Sequence, residues 1–332
     1  MANQTNRANT PTLFHVEPGI WGLRNVFVNL FYVRNPDAPT APWVLVDAGL
    51  PGSGPKLHHH AQELFGADNP PAAILLTHGH FDHVGGLHYL LEQWPDVPVY
   101  AHPLELPYLT GLSAYPPPDP TVGGGAMAAL SFLYPKNPLD LGDRVKALPE
   151  DGSVPFLPGW RWVFTPGHAP GHVSFFREQD KVLLAGDAFV TTKQESALSV
   201  WVQKQEVHGP PMYFTPDWEL ARQSVERLAA LMPRVAATGH GIPMRGEELS
   251  QQLADLVEHF EEKAVPMHGR YVGHPAQTDE TGVRSVPPPV APRIPFWLVG
   301  AGLALVGGIL WANRQNKHNA YDEDDDYDDY DE

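Results

Sequence analysis

The chain of 332 residues contains no cysteine. That excludes disulfides, thiolate-held metals and cysteine nucleophiles, so any bound metal must rest on His, Asp and Glu. Basic residues are also scarce: 22 Lys and Arg stand against 39 Asp and Glu, giving a formal net charge of -17. The last twelve residues, Tyr321 to Glu332, carry nine of the acids and no base, which leaves -8 for the rest of the chain. Phosphate affinity is drawn mainly from Lys and Arg, so no nucleic-acid partner is expected. The opening stretch MANQTNRANTPTLF has no apolar core of a signal peptide. No G-x-S-x-G elbow offers a serine nucleophile. What is abundant is histidine, 17 in all, within a chain that is 42% hydrophobic, the make-up of a globular protein with a substantial core.

From about Pro18 to Gly269 short β-rich runs alternate with helical patterns, an α/β arrangement. Candidate strands are Phe27–Val33, Trp43–Asp47, Ala73–Thr77, Val97–Ala101, Trp160–Thr165, Val182–Gly186 and Val235–Thr238. Several are continuously apolar, as expected of a sheet covered on both faces. The spacing of Leu220, Val225, Leu228 and Leu231 predicts a helix over Asp217–Met232, and that of Leu249, Leu253, Leu256, Phe260 and Ala264 a helix over Glu247–Val265. A third helix is expected from Asp82 to about Trp94. Residues 111–140, rich in Pro and Gly, are either a surface connection or a loop lining or covering a site.

Long apolar runs are limited to one. After a proline-rich linker, residues 270–293, Ile294 to Trp311 reads IPFWLVGAGLALVGGILW, 18 residues without charge. As a helix it would be about 27 Å long, enough to cross a bilayer core. Trp297 and Trp311 near its ends suit the membrane interfaces. One transmembrane helix is expected here, as a C-terminal anchor with the catalytic domain in the cytoplasm. Gly300, Ala304 and Gly308 fall at small-xxx-small spacing, which would let two such helices self-associate. Residues 312–332 form an acidic tail.

The chemistry is concentrated in Ile74-Leu-Leu-Thr-His78-Gly-His80-Phe-Asp82-His83, four potential ligands within six residues after an apolar strand. His78 and His80, two apart in extended chain, point to one side. Three more polar residues follow later strands at small-residue turns: His168 in TPGHAPGH, Asp187 in AGDA and His240 in TGHG. Strand ends are where open α/β sheets build their sites. Asp47 closes an early strand in LVDAG; His58–His60 has no metal-like setting and is taken as a loop or helix start. His88, His102 and His208 remain as candidate substrate contacts.

HGHFDH resembles the HxHxDH signature of the metallo-β-lactamase superfamily, and TPGHAPGH, AGDA and TGHG are similar to its later motifs, over residues 15–269. The resemblance implies an αββα sandwich of two mixed sheets flanked by helices. It implies one metal held by His78, His80 and His168, a second by Asp82, His83 and His240, and Asp187 bridging both. Asp47 and His172 would stand behind the ligands. Seven side chains are too many for one zinc, which keeps to four ligands. The expected cofactors are two divalent ions, zinc first, with iron or manganese also compatible with all-N/O ligation.

The activity this implies is hydrolysis of an ester-like bond in a small-molecule substrate, by water activated between two metals. TPGHAPGH and the intact Asp82, which could also handle a proton, resemble the glyoxalase II and lactonase branch, hence a thioester or lactone. The alternatives are an iron-dependent oxidoreductase resembling the sulfur dioxygenases, and a non-catalytic membrane-tethered scaffold.

Overall fold

The strands follow from period-2 alternation, in which both sets of side chains are apolar. In Trp43–Val46, Trp43 and Leu45 face one buried cluster while Val44 and Val46 face another. In Val182–Gly186, Leu183 and Ala185 face outward to helices while Val182 and Leu184 face inward to the opposite sheet. A run apolar on both faces needs cover on both, and the fold supplies it.

The computed structural model describes residues 12–38 and 40–290. A seven-stranded sheet runs in the order β1 (Leu13–Glu17), β2 (Ile20–Asn25), β3 (Val28–Arg34), β4 (Trp43–Val46), β5 (Ala73–Leu75), β6 (Val99–Ala101) and β7 (Val145–Ala147). Its first three pairings are antiparallel and its last three parallel. A five-stranded sheet holds β8 (Trp160–Phe164), β9 (Val173–Arg177), β10 (Val182–Gly186), β11 (Val235–Thr238) and β12 (Met244–Arg245), and only β10 and β11 pair in parallel. Valines and phenylalanines of both sheets make the central layer. Helices α1 (Gly54–Phe65), α2 (Phe81–Val84) and α3 (Leu87–Gln93) belong to the first sheet, with Leu57, Leu87 and Leu90 packed on its outer face. After α4 (Leu106–Leu109), α5 (Ala126–Ala129) and α6 (Ala197–Val202) come α7 (Trp218–Ala229), α8 (Gly246–Glu258) and α9 (Phe260–Lys263), and these last three cover the second sheet. The result is the expected αββα sandwich of mixed sheets.

The differences from expectation have local causes. The helix expected from Asp82 to Trp94 breaks at Gly85–Gly86. There the Gly85 amide donates to Gly49 O at 2.7 Å and the Gly86 amide to Ala48 O at 3.0 Å, so the chain pairs with the loop after β4. A Cβ on Gly85 would lie 2.1 Å from Pro51 N, which only glycine avoids. The helix expected over Glu247–Val265 divides at His259, whose φ and ψ of -117° and 32° leave the helical region. His58–His60 lies within α1. Residues 270–290, expected as a linker, carry a hairpin, β13 (Gln277–Asp279) and β14 (Gly282–Ser285), whose Val283 amide donates to Ser113 Oγ at 3.0 Å. Among the described residues no helix is long and apolar enough to cross a membrane. The expected transmembrane helix at 294–311, with Gly300, Ala304 and Gly308, and the acidic tail lie outside the described residues.

Candidate metal centre

Every expected ligand sits just past the end of a strand, and all are buried. His78, His80, Asp82 and His83 follow β5, His168 follows β8, Asp187 follows β10 and His240 follows β11. The fold gathers them into groups whose ligand atoms lie within 4.8 Å of one another: His78, His80 and His168; Asp82, His83 and His240; and His78, His83 and Asp187. The first two are the triads expected from the sequence. The third draws Asp187 against one member of each. Its Oδ2 lies 3.0 Å from His240 Nε2, 3.5 Å from His168 Nε2 and 3.6 Å from His83 Nε2.

On His78, His83 and His240 the ring nitrogen turned away from the centre is already used. Asp47 Oδ2 accepts from both the Thr77 hydroxyl and His83 Nδ1, each at 2.8 Å, and Asp47 Oδ1 accepts the Thr77 amide at 2.8 Å. With its proton given to Asp47, Thr77 Oγ1 accepts from His78 Nδ1 at 3.1 Å. His240 Nδ1 donates to the Phe27 carbonyl at 2.9 Å. These bonds fix the tautomers that leave Nε2 of His78, His83 and His240 as acceptors, the state a metal ligand requires. His172 Nδ1 bonds Thr165 Oγ1 at 2.8 Å and its Nε2 accepts the Asp187 amide at 2.9 Å, so it positions Asp187 and has no nitrogen left for a metal.

Electrostatics keep the three rings of the first triad neutral and favour a proton on the two rings beside the carboxylates. Burial, then neighbouring rings, hold the pKa of His78 and His168 well below the ordinary histidine value, and burial brings those of His80 and His172 to about 3. Burial opposes charge on His83 too, but Asp187, Asp47 and Asp82 outweigh it and raise its pKa. Burial, with Asp187, raises that of Asp82. His78 Nε2, His83 Nε2, His168 Nδ1 and Asp187 Oδ1 are buried with no hydrogen-bond partner. Each such atom costs about 1–3 kcal/mol if left unpaired. Three of them, on His78, His83 and Asp187, belong to one ligand group, and buried imidazole and carboxylate lone pairs fit divalent cations that displace the ring proton of His83.

Two residues that sequence reasoning passed over shape this centre. Thr77, a strand end in the sequence pattern, relays Asp47 to His78. Glu105, the sole acid in HPLELP, is buried and accepts the Gly171 amide at 2.7 Å, the Gly79 amide at 2.9 Å and the Tyr115 hydroxyl. The signal for it was a carboxylate in an apolar run, which folding must pair. Residues 111–140 line the site: Tyr115 packs on His80 with ring centroids 4.6 Å apart, and Tyr134 packs on Phe81 at 5.5 Å and Phe214 at 5.9 Å. Phe214 in turn stacks on His80 at 4.5 Å. His102 stacks on Phe164 and accepts the Leu104 amide, a structural role; His88 and His208 fall in none of the ligand groups.

A family model described as the metallo-beta-lactamase superfamily matches residues 23–240. The chain is 48% identical over 243 residues to the probable metallo-hydrolase YflN of Bacillus subtilis (strain 168), a match covering 73% of this chain and 91% of that protein. A stretch of 70 residues is 45% identical to hydroxyacylglutathione hydrolase of Xylella fastidiosa (strain M12), covering 21% of this chain and 24% of that one. Among solved structures, a B3 metallo-beta-lactamase with an active-site glutamic acid matches with a TM-score of 0.50 at 17% identity, over 76% of this chain and 89% of that one. That last likeness is one of fold.

Proposed function

The chain belongs to the metallo-beta-lactamase superfamily, and we propose that it is a membrane-tethered hydrolase using two metal ions to cleave an ester-like bond in a thioester or lactone. The observation carrying this reading is Asp187, placed within 3.6 Å of a histidine from each triad. His78, His80 and His168 would hold one ion, Asp82, His83 and His240 the other, with Asp187 between them. When bound, such a pair supplies water deprotonated at neutral pH and polarises the substrate's carbonyl oxygen.

The chain's own side chains do the rest. Asp47, Thr77 and the Phe27 carbonyl hold the ligand rings in one tautomer and orientation. Asp82, raised in pKa by burial, is placed to take and release a proton at its carboxylate. Phe81, Tyr134 and Phe214 form an aromatic wall beside His80, which suits the acyl part of a substrate and keeps water from it. The short match to hydroxyacylglutathione hydrolase favours a thioester. Residues 294–311, uncharged and with Trp297 and Trp311 near the ends, supply the tether, and Gly300, Ala304 and Gly308 a face on which two tethers pack. All-N/O ligation accommodates zinc, with iron and manganese as the other fits.

Elemental analysis of the purified protein, followed by thioester, lactone, β-lactam and phosphodiester panels with a chelator control, tests the reading. About two zinc per chain and chelator-sensitive thioester or lactone cleavage are expected. Iron with oxygen consumption, and no hydrolysis, would replace it with an oxidative activity.

A further inference from the structure

Helix α6 buries none of its residues, although its sequence is ALSVWV. Trp201 is 80% exposed, Leu198 71% and Val202 46%. In the segment that follows α5, Phe132 and Leu133 are each about half exposed, at 53% and 51%. The two segments meet where the Met127 amide, at the start of α5, donates to Glu195 O at 3.3 Å just before α6. Single exposed apolar residues are ordinary, but five large ones in two adjoining segments form a patch that asks for a partner.

The charges around it narrow the partner. Residues 126–137 and 190–205 carry Lys136, Lys193, Lys204 and Glu195, and Glu195 is buried. The patch therefore presents lysines, one of them, Lys204, paired with Glu206 at 2.6 Å, on a chain of net charge -17. Apolar side chains including a tryptophan, rimmed by lysines, suit the headgroup boundary of a bilayer with anionic lipid. On the reading proposed above, the chain also continues beyond the described residues into a membrane tether. Residues 294–311 begin four residues after Val290, the last described residue.

We propose that residues 126–134 and 196–204 form a docking surface for a lipid bilayer bearing anionic headgroups, from which the site receives acylated, amphiphilic substrates. The choice of partner rests on the membrane tether of the proposed function. The route inward is aromatic: Tyr134, next to the exposed Leu133, packs on Phe81 and Phe214, and Phe214 on His80. An acyl chain leaving the bilayer at the patch meets apolar surface up to the ligand cluster, while its ester-like head can reach the polar centre.

Because the chain has no cysteine, one introduced cysteine takes a label uniquely. Full-length protein labelled at Leu133→Cys, and separately at the exposed Glu261→Cys on α9, is reconstituted with vesicles of phosphatidylcholine and phosphatidylglycerol containing brominated lipid. The label at 133 should shift to shorter wavelength and be quenched, the label at 261 should not, and adding Leu198→Ser with Trp201→Ser should abolish the quenching. Equal quenching at both positions, or none, in protein that floats with the vesicles overturns the docking surface. If the protein does not float, the tether reading fails instead, and titration of the same labelled chain with vesicles still decides the patch: quenching at 133 supports it and none overturns it. A shift at 133 that appears with protein concentration in the absence of lipid would assign the patch to a second copy and also overturn the proposal.

Discussion

Glu105 Oε1 accepts the Gly171 amide at 2.7 Å, and this bond ties the loop of His168 to the segment that follows β6. The other oxygen takes the Gly79 amide, between His78 and His80, at 2.9 Å. One buried carboxylate thus holds together the two loops that supply one triad. Burial pushes its pKa up to about 7, against the pull of its three donors. A carboxyl raised from 4.5 holds its proton more tightly folded than unfolded. Its stabilising share is therefore complete below about pH 4.5 and is lost as pH rises through about 7. In the metal-free protein, thermal stability should fall from about pH 5 to about pH 8 by more than in Glu105→Gln, the difference being on the order of 3 kcal/mol. Parallel curves for the two proteins would refute this account.

Asp47 places one oxygen against two donors, the Thr77 hydroxyl and His83 Nδ1, both at 2.8 Å. The amide of Asp47→Asn has a single carbonyl oxygen and must turn its NH2 on either the Thr77 amide or this pair. Tautomer control over His78 and His83 is then lost without removing a ligand. Metal affinity should drop about 10- to 100-fold with the fold retained, as read by chelator competition alongside circular dichroism. Unchanged affinity would show that Asp47 has no hold on the ligands.

What the sequence disclosed and what it concealed divide along one physical line. Strands apolar on both faces, such as β4, β10 and β11, were legible because burial on two sides leaves no polar positions. The ligands were legible because chemistry-bearing residues followed those strands at short turns. β1 and β2 were not, since His15, Glu17, Trp21 and Arg24 break their pattern at exposed or half-covered positions. The division of the helix after Asp82 was hidden because Gly85 answers to a loop more than thirty residues earlier. Glu105 was hidden for the same reason: its partners Gly79 and Gly171 are 26 and 66 residues away, and only the fold brings them to it.

Asp82 and His83 belong to one triad and His80 to the other, so their loss should be read separately in metal content. His83→Ala or Asp82→Ala is expected to bring the bound metal from about two towards about one per chain and to lower turnover by a factor on the order of a hundred or more. His80→Ala should weaken the opposite site. Near-normal turnover in either of the first two variants would end the two-metal reading, whatever the metal count.

Gly239 supplies the sharpest steric test. A Cβ built there would lie 2.0 Å from Asp187 Oδ1 and 2.8 Å from His83 Cε1. The residue cannot move aside easily: its amide donates to Gly186 O at 2.8 Å and its carbonyl accepts the Asn29 amide at 2.7 Å, pinning it to both sheets. In Gly239→Ala the side chain of Asp187 must therefore give way by about 1 Å, which carries it off the line between the triads. Overpacking of this kind costs about 1–3 kcal/mol. The variant should fold with a modestly lower melting temperature, yet lose most of its metal and its activity. Full metal occupancy in folded Gly239→Ala would mean that Asp187 does not have to stand where it does for both ions to bind.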